Sequence, residues 1–391
     1  MTDVVFIGAM RTAIGSFNGA FTGVPSPTLG AQAIKAALAQ SGVPGSEVDE
    51  VLMGCVLPAA LGQAPARQAA LGAGLPTSVV CTTLNKVCGS GMKAIMLAND
   101  IIKAGSASVV IAGGMESMTN APYMLTKARS GYRYGHGEIL DHMALDGLQN
   151  AGDRKAMGEF GEQCADKYNF TRAEQDAYSA ESVTRALAAQ KSGAFSSEIT
   201  PVMVTTRKGD VSVSADEEPP TCDIAKAATL KPAFKKDGTI TAATSSKISD
   251  GAAAVVMVSA EEAKRRGATP LARLVAHTTF AHAPEWFTTA PVYAMQKLLE
   301  KCGWQADQVD LFEINEAFAV VAMAAIRDLG ISHDKVNING GACALGHPIG
   351  ASGARIVVTL IHALRNRGLK RGIASLCIGG GEATAIAVEI L

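Results

Sequence analysis

The chain has 391 residues, and 35 Lys and Arg against 36 Asp and Glu give it a net charge of −1 at pH 7. Such a balance carries no electrostatic footprint for nucleic acid or for an anionic membrane surface. Hydrophobic residues reach 48 % and charged ones only 18 %, against about 25 % charged in ordinary domains, so large cores or subunit interfaces are expected.

From the N-terminus, Met1-Thr2-Asp3-Val4-Val5 has no basic or Arg-rich leader, and no later apolar run approaches the roughly 20 residues that span a bilayer. With Val388-Glu389-Ile390-Leu391 at the other end, which is no peroxisomal tripeptide, the expectation is a cytoplasmic protein without a membrane partner. Cys88 stands in Asn85-Lys86-Val87-Cys88-Gly89-Ser90-Gly91-Met92-Lys93, directly before a predicted helix from Met92 to Ala104 closed by Gly105. There the helix dipole and free N–H groups favour a thiolate; a buried cysteine at a tight turn is the alternative. Val109 to Ala112 is a predicted buried strand ending in Gly113-Gly114. Residues 120–248 are more polar. Thr171-Arg172-Ala173-Glu174 opens a capped helix towards Gly193, and Asp216-Glu217-Glu218-Pro219-Pro220 has the composition of an exposed loop.

Further on, Asn315 lies at a predicted strand-to-helix junction in Glu313-Ile314-Asn315-Glu316-Ala317-Phe318, where an N-cap is the plain reading. His347 lies among glycines in Gly346-His347-Pro348-Ile349-Gly350-Ala351-Ser352-Gly353, and Pro348 keeps it out of helical geometry. It is placed to act as a base, or else as a satisfied structural histidine. The preceding glycines mimic a P-loop but carry His where Lys is required, which argues against phosphate transfer. Cys377 ends a predicted strand that runs into Gly379-Gly380-Gly381, the kind of position where open α/β sheets place their chemistry; core packing is its alternative. Eight cysteines occur without one C-x-x-C pair, so neither a disulfide framework nor a zinc cluster is expected.

Two of these regions repeat. Gly42 to Gly54 parallels Gly303 to Asn315, and Gly89 parallels Gly350, in each case 261 positions apart. Each copy runs from a glycine-punctuated helix start to a strand ending in glycines. Duplication of one α/β unit explains that order better than chance.

Taken together, the blocks at Asn85–Lys93, Asn315–Phe318, Gly346–Gly353 and Cys377–Gly381 resemble the signature blocks of the thiolase family, over the full length. Further matches are Arg11 to Phe17, Gly113 to Met118 and Ser249 to Ala254. Within the family the chain is most similar to acetyl-CoA C-acetyltransferases. The resemblance implies an α/β, five-layer αβαβα fold built from two duplicated halves. Residues 1–119, completed by about 249–270, would form the first half, 271–391 the second, and 120–248 an inserted CoA-binding loop domain. It implies Cys88 as the nucleophile, His347 as the base that activates it, and Cys377 as the acid/base. Asn315, through a water, and His347 would stabilise an enolate, with the N–H groups of Cys88 and Gly379 forming a second oxyanion hole. Leu148, Met157, Phe234, Ser246, Ala317 and Phe318 would contact CoA, and Phe287 would line the acyl pocket. Neither a metal nor a cofactor is implied, since CoA is itself part of the substrate. Acetyl-CoA, acetoacetyl-CoA or another short acyl-CoA is the implied partner, and a homotetramer built as a dimer of dimers the implied assembly.

Three departures from the family pattern matter. Ala156-Met157-Gly158 stands where His-Met-Gly is common; an Arg often found near Pro220 is missing, with Lys226 and Lys231 as candidate substitutes; and Trp286-Phe287 replaces a smaller motif, so that large aromatics are expected to cap or reshape a short-chain pocket. The competing readings are a broader-range 3-ketoacyl-CoA thiolase, a decarboxylating condensing enzyme, a cysteine hydrolase and a non-catalytic CoA or lipid carrier. The second cysteine and the Asn-His pair argue against the last three.

Overall fold

The computed structural model describes residues 2–391. The first half runs β1 (Val4–Thr12), α1 (Ser26–Ser41), β2 (Glu50–Gly54), α2 (Pro65–Gly72), β3 (Val80–Leu84), α3 (Ser90–Ala104) and β4 (Val109–Ser117). Two helices follow, α4 (Met157–Tyr168) and α5 (Arg172–Ser192), with a hairpin of Val202–Thr206 and Gly209–Val213. The chain then returns through β5 (Ser249–Ser259) and continues as β6 (Ala272–Ala281), α6 (Ala290–Cys302), β7 (Leu311–Ile314), α7 (Ala319–Leu329), α8 (Ile349–Arg367), β8 (Arg371–Ile378) and β9 (Glu382–Glu389).

The strands bond in the order β7-β8-β9-β6-β1-β5-β4-β2-β3, and two short strands, Gly15–Ser16 and Ile199–Thr200, bring the sheet to eleven. Its middle is the antiparallel pairing of β1 with β6 through Val4–Leu274, Val5–Arg273 and Phe6–Ala272. Outward from there the two sides repeat one pattern. β5 and β9 are antiparallel to their neighbours, and the pairs β2/β4 and β7/β8 are parallel. The repeat seen in the sequence is therefore a structural repeat.

The sheet folds back on itself around α3 and α8, which pack against each other and against strands of both halves. Met92, Ile95 and Met96 of α3 share one core with Val357, Leu360 and Ile361 of α8, Val255 of β5 and Leu376 of β8. Helix α8 is buried at every position from Ile349 to Leu364, and the polar residues among them are paired, Arg355 with Glu313, Thr359 with Glu198 and His362 with the Ala9 carbonyl. Helices α1 and α2 cover the outer face of the first half, and α6 and α7 that of the second. The layers run αβαβα.

Local signals held well. Helix α3 ends at Gly105 with φ 74°, and α5 begins at Thr171, whose hydroxyl accepts from the Glu174 N–H, and ends at Gly193 with φ 74°. The stretch from Asp216 is a correction. Asp216 is buried, paired to the buried Arg11 at 2.7 Å, while Glu217 accepts from the Ser16 and Ala20 N–H groups at 2.8 and 3.0 Å. Composition marks it as loop, but a guanidinium taken wholly out of water needs carboxylates around it, and Asp216 and Glu198 supply them. Among the described residues no helix is long and apolar enough to cross a membrane.

Candidate active site

Four loops meet where α3 and α8 begin. Between β3 and α3 the chain turns sharply through Val87, whose φ of 47° is a costly conformation for a β-branched residue. Side chains brace the turn. Asn85 Oδ1 accepts from the Val87 N–H at 2.8 Å, and the Ser90 hydroxyl accepts from the Lys86 N–H at 2.8 Å and donates to the Val87 carbonyl at 2.7 Å. The result presents Cys88, half-buried, at the mouth of α3. Loss of water around the thiol pushes its pKa up to about 11, against the pull of the Gly379 N–H and its own N–H. These are the two groups that the resemblance assigns to an oxyanion hole.

Cys377 near the end of β8 is fully buried, and its thiol is raised well above the ordinary range by burial and then by the nearby Cys88. The two thiols are thus neighbours, one from each half. Lys86 and Glu382 form an ion pair across the same seam, tying the Cys88 turn to the strand that follows Gly379-Gly380-Gly381.

His347 is buried at the start of α8, with its Nδ1 2.6 Å from the Ser352 hydroxyl. That hydroxyl gives its own proton to the Pro348 carbonyl at 2.9 Å, so it accepts from Nδ1–H and leaves Nε2 as a lone pair. Asn315 Nδ2 donates to Nε2 at 3.4 Å, while the buried Asn315 Oδ1 meets no protein donor. Burial, and then the positive charge of Arg355, lower the His347 pKa to about 3. At rest the site therefore pairs a neutral thiol with a neutral imidazole. Asn315 is not an N-cap: α7 begins four residues later, capped at Phe318. The Asn315 turn is pinned instead by Glu316, whose carboxylate accepts from Tyr178 (3.0 Å) and Ser182 (2.8 Å) of α5, from Asn337 Nδ2 (2.8 Å) and from the Cys343 N–H (3.0 Å).

A cavity of about 560 Å³ leads to His347. Leu148, Met157, Phe234, Ser246 and Phe318 line it, and so does Ala156. Ala317 lies behind the wall, its carbonyl accepting from the Ser246 N–H at 3.0 Å. Gly158 is required where it stands, since a Cβ there would meet the Phe234 ring at 2.2 Å. Phe287 is 3 % exposed and packs with Cys377, Ile240 and Phe318, its ring edge-on to Phe318 at 6.5 Å. Trp286 differs from the expectation. It is half-buried and off the cavity wall, with the Lys167 ammonium 4.7 Å from its ring centroid, at a kink where its own φ/ψ of −103°/17° leave the 3-10 geometry. Lys226 is paired to Asp223 at 3.1 Å and lines a separate pocket of about 270 Å³, and Lys231 is exposed. Phe17 and Glu218, from the Arg11–Phe17 and Asp216–Pro220 stretches, also line this cavity, and so do Gln149 and Lys247, which nothing in their local sequence marks.

The thiolase N-terminal domain matches residues 4–261 and the thiolase C-terminal domain residues 268–390. The chain belongs to the thiolase family. Among curated thiolase relatives, an acetyl-CoA acetyltransferase of Pseudomonas aeruginosa is 49 % identical over 99 % of both chains. Acetyl-CoA acetyltransferase 2 of Arabidopsis thaliana is 50 % identical, covering 100 % of this chain and 97 % of its own. Among solved thiolase structures, the acetyl-CoA acetyltransferase of Bacillus anthracis superposes with a TM-score of 0.98 at 43 % identity, covering 100 % of this chain and 99 % of its own. A thiolase of Ascaris suum in complex with coenzyme A gives 0.94 at 41 % identity, with full coverage of both chains. The sequence resemblance, the layered fold and these relatives agree on the thiolase assignment.

Proposed function

We infer that the chain is an acetyl-CoA C-acetyltransferase, which joins two acetyl-CoA into acetoacetyl-CoA and free CoA and runs the reverse thiolysis. The observation that carries this reading is the meeting of two thiols from opposite halves, Cys88 with the Gly379 N–H drawn to it and Cys377 beside it, with the neutral His347 held to Asn315, whose N–H donates to the Ser375 carbonyl of the Cys377 strand. A hydrolase or a carrier has no use for the second thiol.

In the first step His347 Nε2 takes the Cys88 proton as the sulfur attacks the acetyl thioester. The C–S bond to CoA breaks, and the CoA thiolate leaves with the proton of the Cys377 thiol, so that Cys377 becomes a thiolate and His347 keeps the Cys88 proton as an Nε2–H. In the second step the Cys377 thiolate removes an α-proton from a second acetyl-CoA. The resulting enolate oxygen is held by His347 and by a water on Asn315, and the carbanion attacks acetyl-Cys88. The developing oxyanion is met by the Cys88 and Gly379 N–H groups. Collapse frees acetoacetyl-CoA and releases the Cys88 thiolate, which takes back the proton from His347 Nε2; Cys377 keeps the α-proton, and both thiols and the imidazole regain their starting states. Phe287 against Cys377 and Phe318 shortens the acyl end, which supports short chains.

The same proposal includes a cytoplasmic homotetramer with a role in short-chain fatty acid metabolism. Eight unpaired cysteines suit a reducing compartment. The edge strand β3, with Val80 60 % exposed, and the exposed Tyr123, Leu125, Tyr134 and Ile139 of one loop call for partner subunits.

Intact mass after mixing with acetyl-CoA tests the catalytic reading. One acetyl group on the wild type and none on Cys88→Ala is the expected result. No adduct on folded, reduced wild-type protein would refute it in favour of a carrier.

A further inference from the structure

We propose that Lys247 binds the phosphates of the CoA nucleotide, in the role for which Lys226 and Lys231 are badly placed. The inference rests on the acyl-CoA reading above. Such a substrate has an uncharged pantetheine arm and a nucleotide end with about four negative charges at neutral pH. The main cavity matches the first part: from His347 outward its walls are largely apolar, with Leu148, Met157, Phe234 and Phe318 among them. Its only other charged wall residues are Glu218 and Lys247. Both, with Ala242, also line the neighbouring pocket of about 270 Å³. The arm therefore hands over to the nucleotide at the wall that these three residues share.

Lys247 is equipped for that position. Its ammonium donates to the Ala242 carbonyl at 2.5 Å and, among the described residues, forms no ion pair. Two of its three donors thus have no protein acceptor. Lys226 by contrast is already neutralised by Asp223 and stays off the main cavity. The Lys247 backbone is rigid as well: its carbonyl accepts from the His347 N–H at 3.0 Å, and its own N–H donates to the Ala342 carbonyl at 3.4 Å. Next to it, Ser246 is held to Ala317. One short segment thus fixes the distance between the base and the phosphate-binding ammonium. Glu218 has the opposite sign to Lys247 and opposes phosphate at the same place.

The test is calorimetric titration of CoA, dephospho-CoA and pantetheine into the wild type, Lys247→Met and Glu218→Gln. Loss of a charge-assisted hydrogen bond predicts roughly tenfold weaker CoA binding in Lys247→Met, shrinking as salt is raised, with pantetheine affinity unmoved. A loss retained with dephospho-CoA assigns the pyrophosphate, and a loss absent there assigns the 3′-phosphate. Glu218→Gln should bind CoA more tightly. Equal weakening of CoA and pantetheine, or no weakening of either, overturns the proposal. If Lys247→Met does not fold, unchanged CoA affinity in Glu218→Gln overturns it too. Wild type that binds CoA but never acetylates Cys88 refutes the catalytic reading and leaves this one standing.

Discussion

Ser352 is the side chain whose loss tells most about how the base is set. Its hydroxyl is the acceptor for His347 Nδ1–H at 2.6 Å, and its own proton is committed to Pro348. Ser352→Ala removes that acceptor in a site where His347 is 5 % exposed and water cannot easily replace it. The stranded Nδ1–H costs about 1–3 kcal/mol. The imidazole escapes that cost by turning or by moving its proton to Nε2, and either change removes the lone pair that faces Asn315 and that the proposed mechanism uses towards Cys88. At about 1.36 kcal/mol per decade of rate, acetylation of Cys88 should slow roughly 5- to 150-fold. The assay is quenched-flow mixing with acetyl-CoA, read by intact mass, with CoA affinity and melting temperature measured on the same sample. Acetylation at the wild-type rate would refute the reasoning, because the lone pair would then have been set by something else. Slow acetylation that tracks weaker CoA binding would also count against it.

Three further outcomes follow from the geometry. Because burial raises the Cys88 pKa to about 11, its thiolate is scarce at neutral pH and grows with pH. Alkylation by iodoacetamide, followed by mass, should still be rising beyond pH 9, and a plateau near the ordinary thiol value of about 8.5 would contradict the assignment. Phe287→Ala should lower stability by about 3–5 kcal/mol and raise turnover of longer 3-ketoacyl-CoA relative to acetoacetyl-CoA; unchanged relative rates would remove Phe287 from the acyl wall. Lys86 and Glu382 keep side-chain exposures of 22 % and 37 %, so their pair contributes at most about 1 kcal/mol. Lys86→Met should slow acetylation by a few-fold, and exchanging the two residues should restore it; no restoration would exclude a role in aligning Cys88 with Gly379.

Much of this was legible before any coordinates. The offset of 261 between Gly42 and Gly303 is local and periodic, and it marks a real repeat because each copy must make the same helix–strand turn. Cys88, His347 and Cys377 are legible because glycine and proline around them restrict the backbone. Residues that act through distant partners were not. Ser352 looks like any small residue on a buried helix until Pro348 and His347 are seen around it. Asp216 looks exposed until Arg11 is found over it. Trp286 and Phe287 are adjacent in sequence but differ in burial, Phe287 enclosed and Trp286 half-buried under Lys167, a difference that follows the kink at Trp286. Lys247 has no motif, and its position follows from two loops, 242–249 and 342–347, lying side by side.

The duplicated build also bears on how many reactions one chain can run. A shift of 261 carries Cys377 onto Glu116, His347 onto Lys86, Asn315 onto Gly54 and Cys88 onto Ile349. The mirror position of the active centre therefore exists, but it has been sealed. There Glu116, fully buried with its pKa raised to about 7, accepts from the N–H groups of Gly350, Val56 and Leu57. Its carboxylate fills the mouth of α8 at the point that, in front of α3, is left to a substrate oxygen. Of the two equivalent openings one is plugged by Glu116, and each chain should saturate at a single acetyl group whatever the excess of acetyl-CoA.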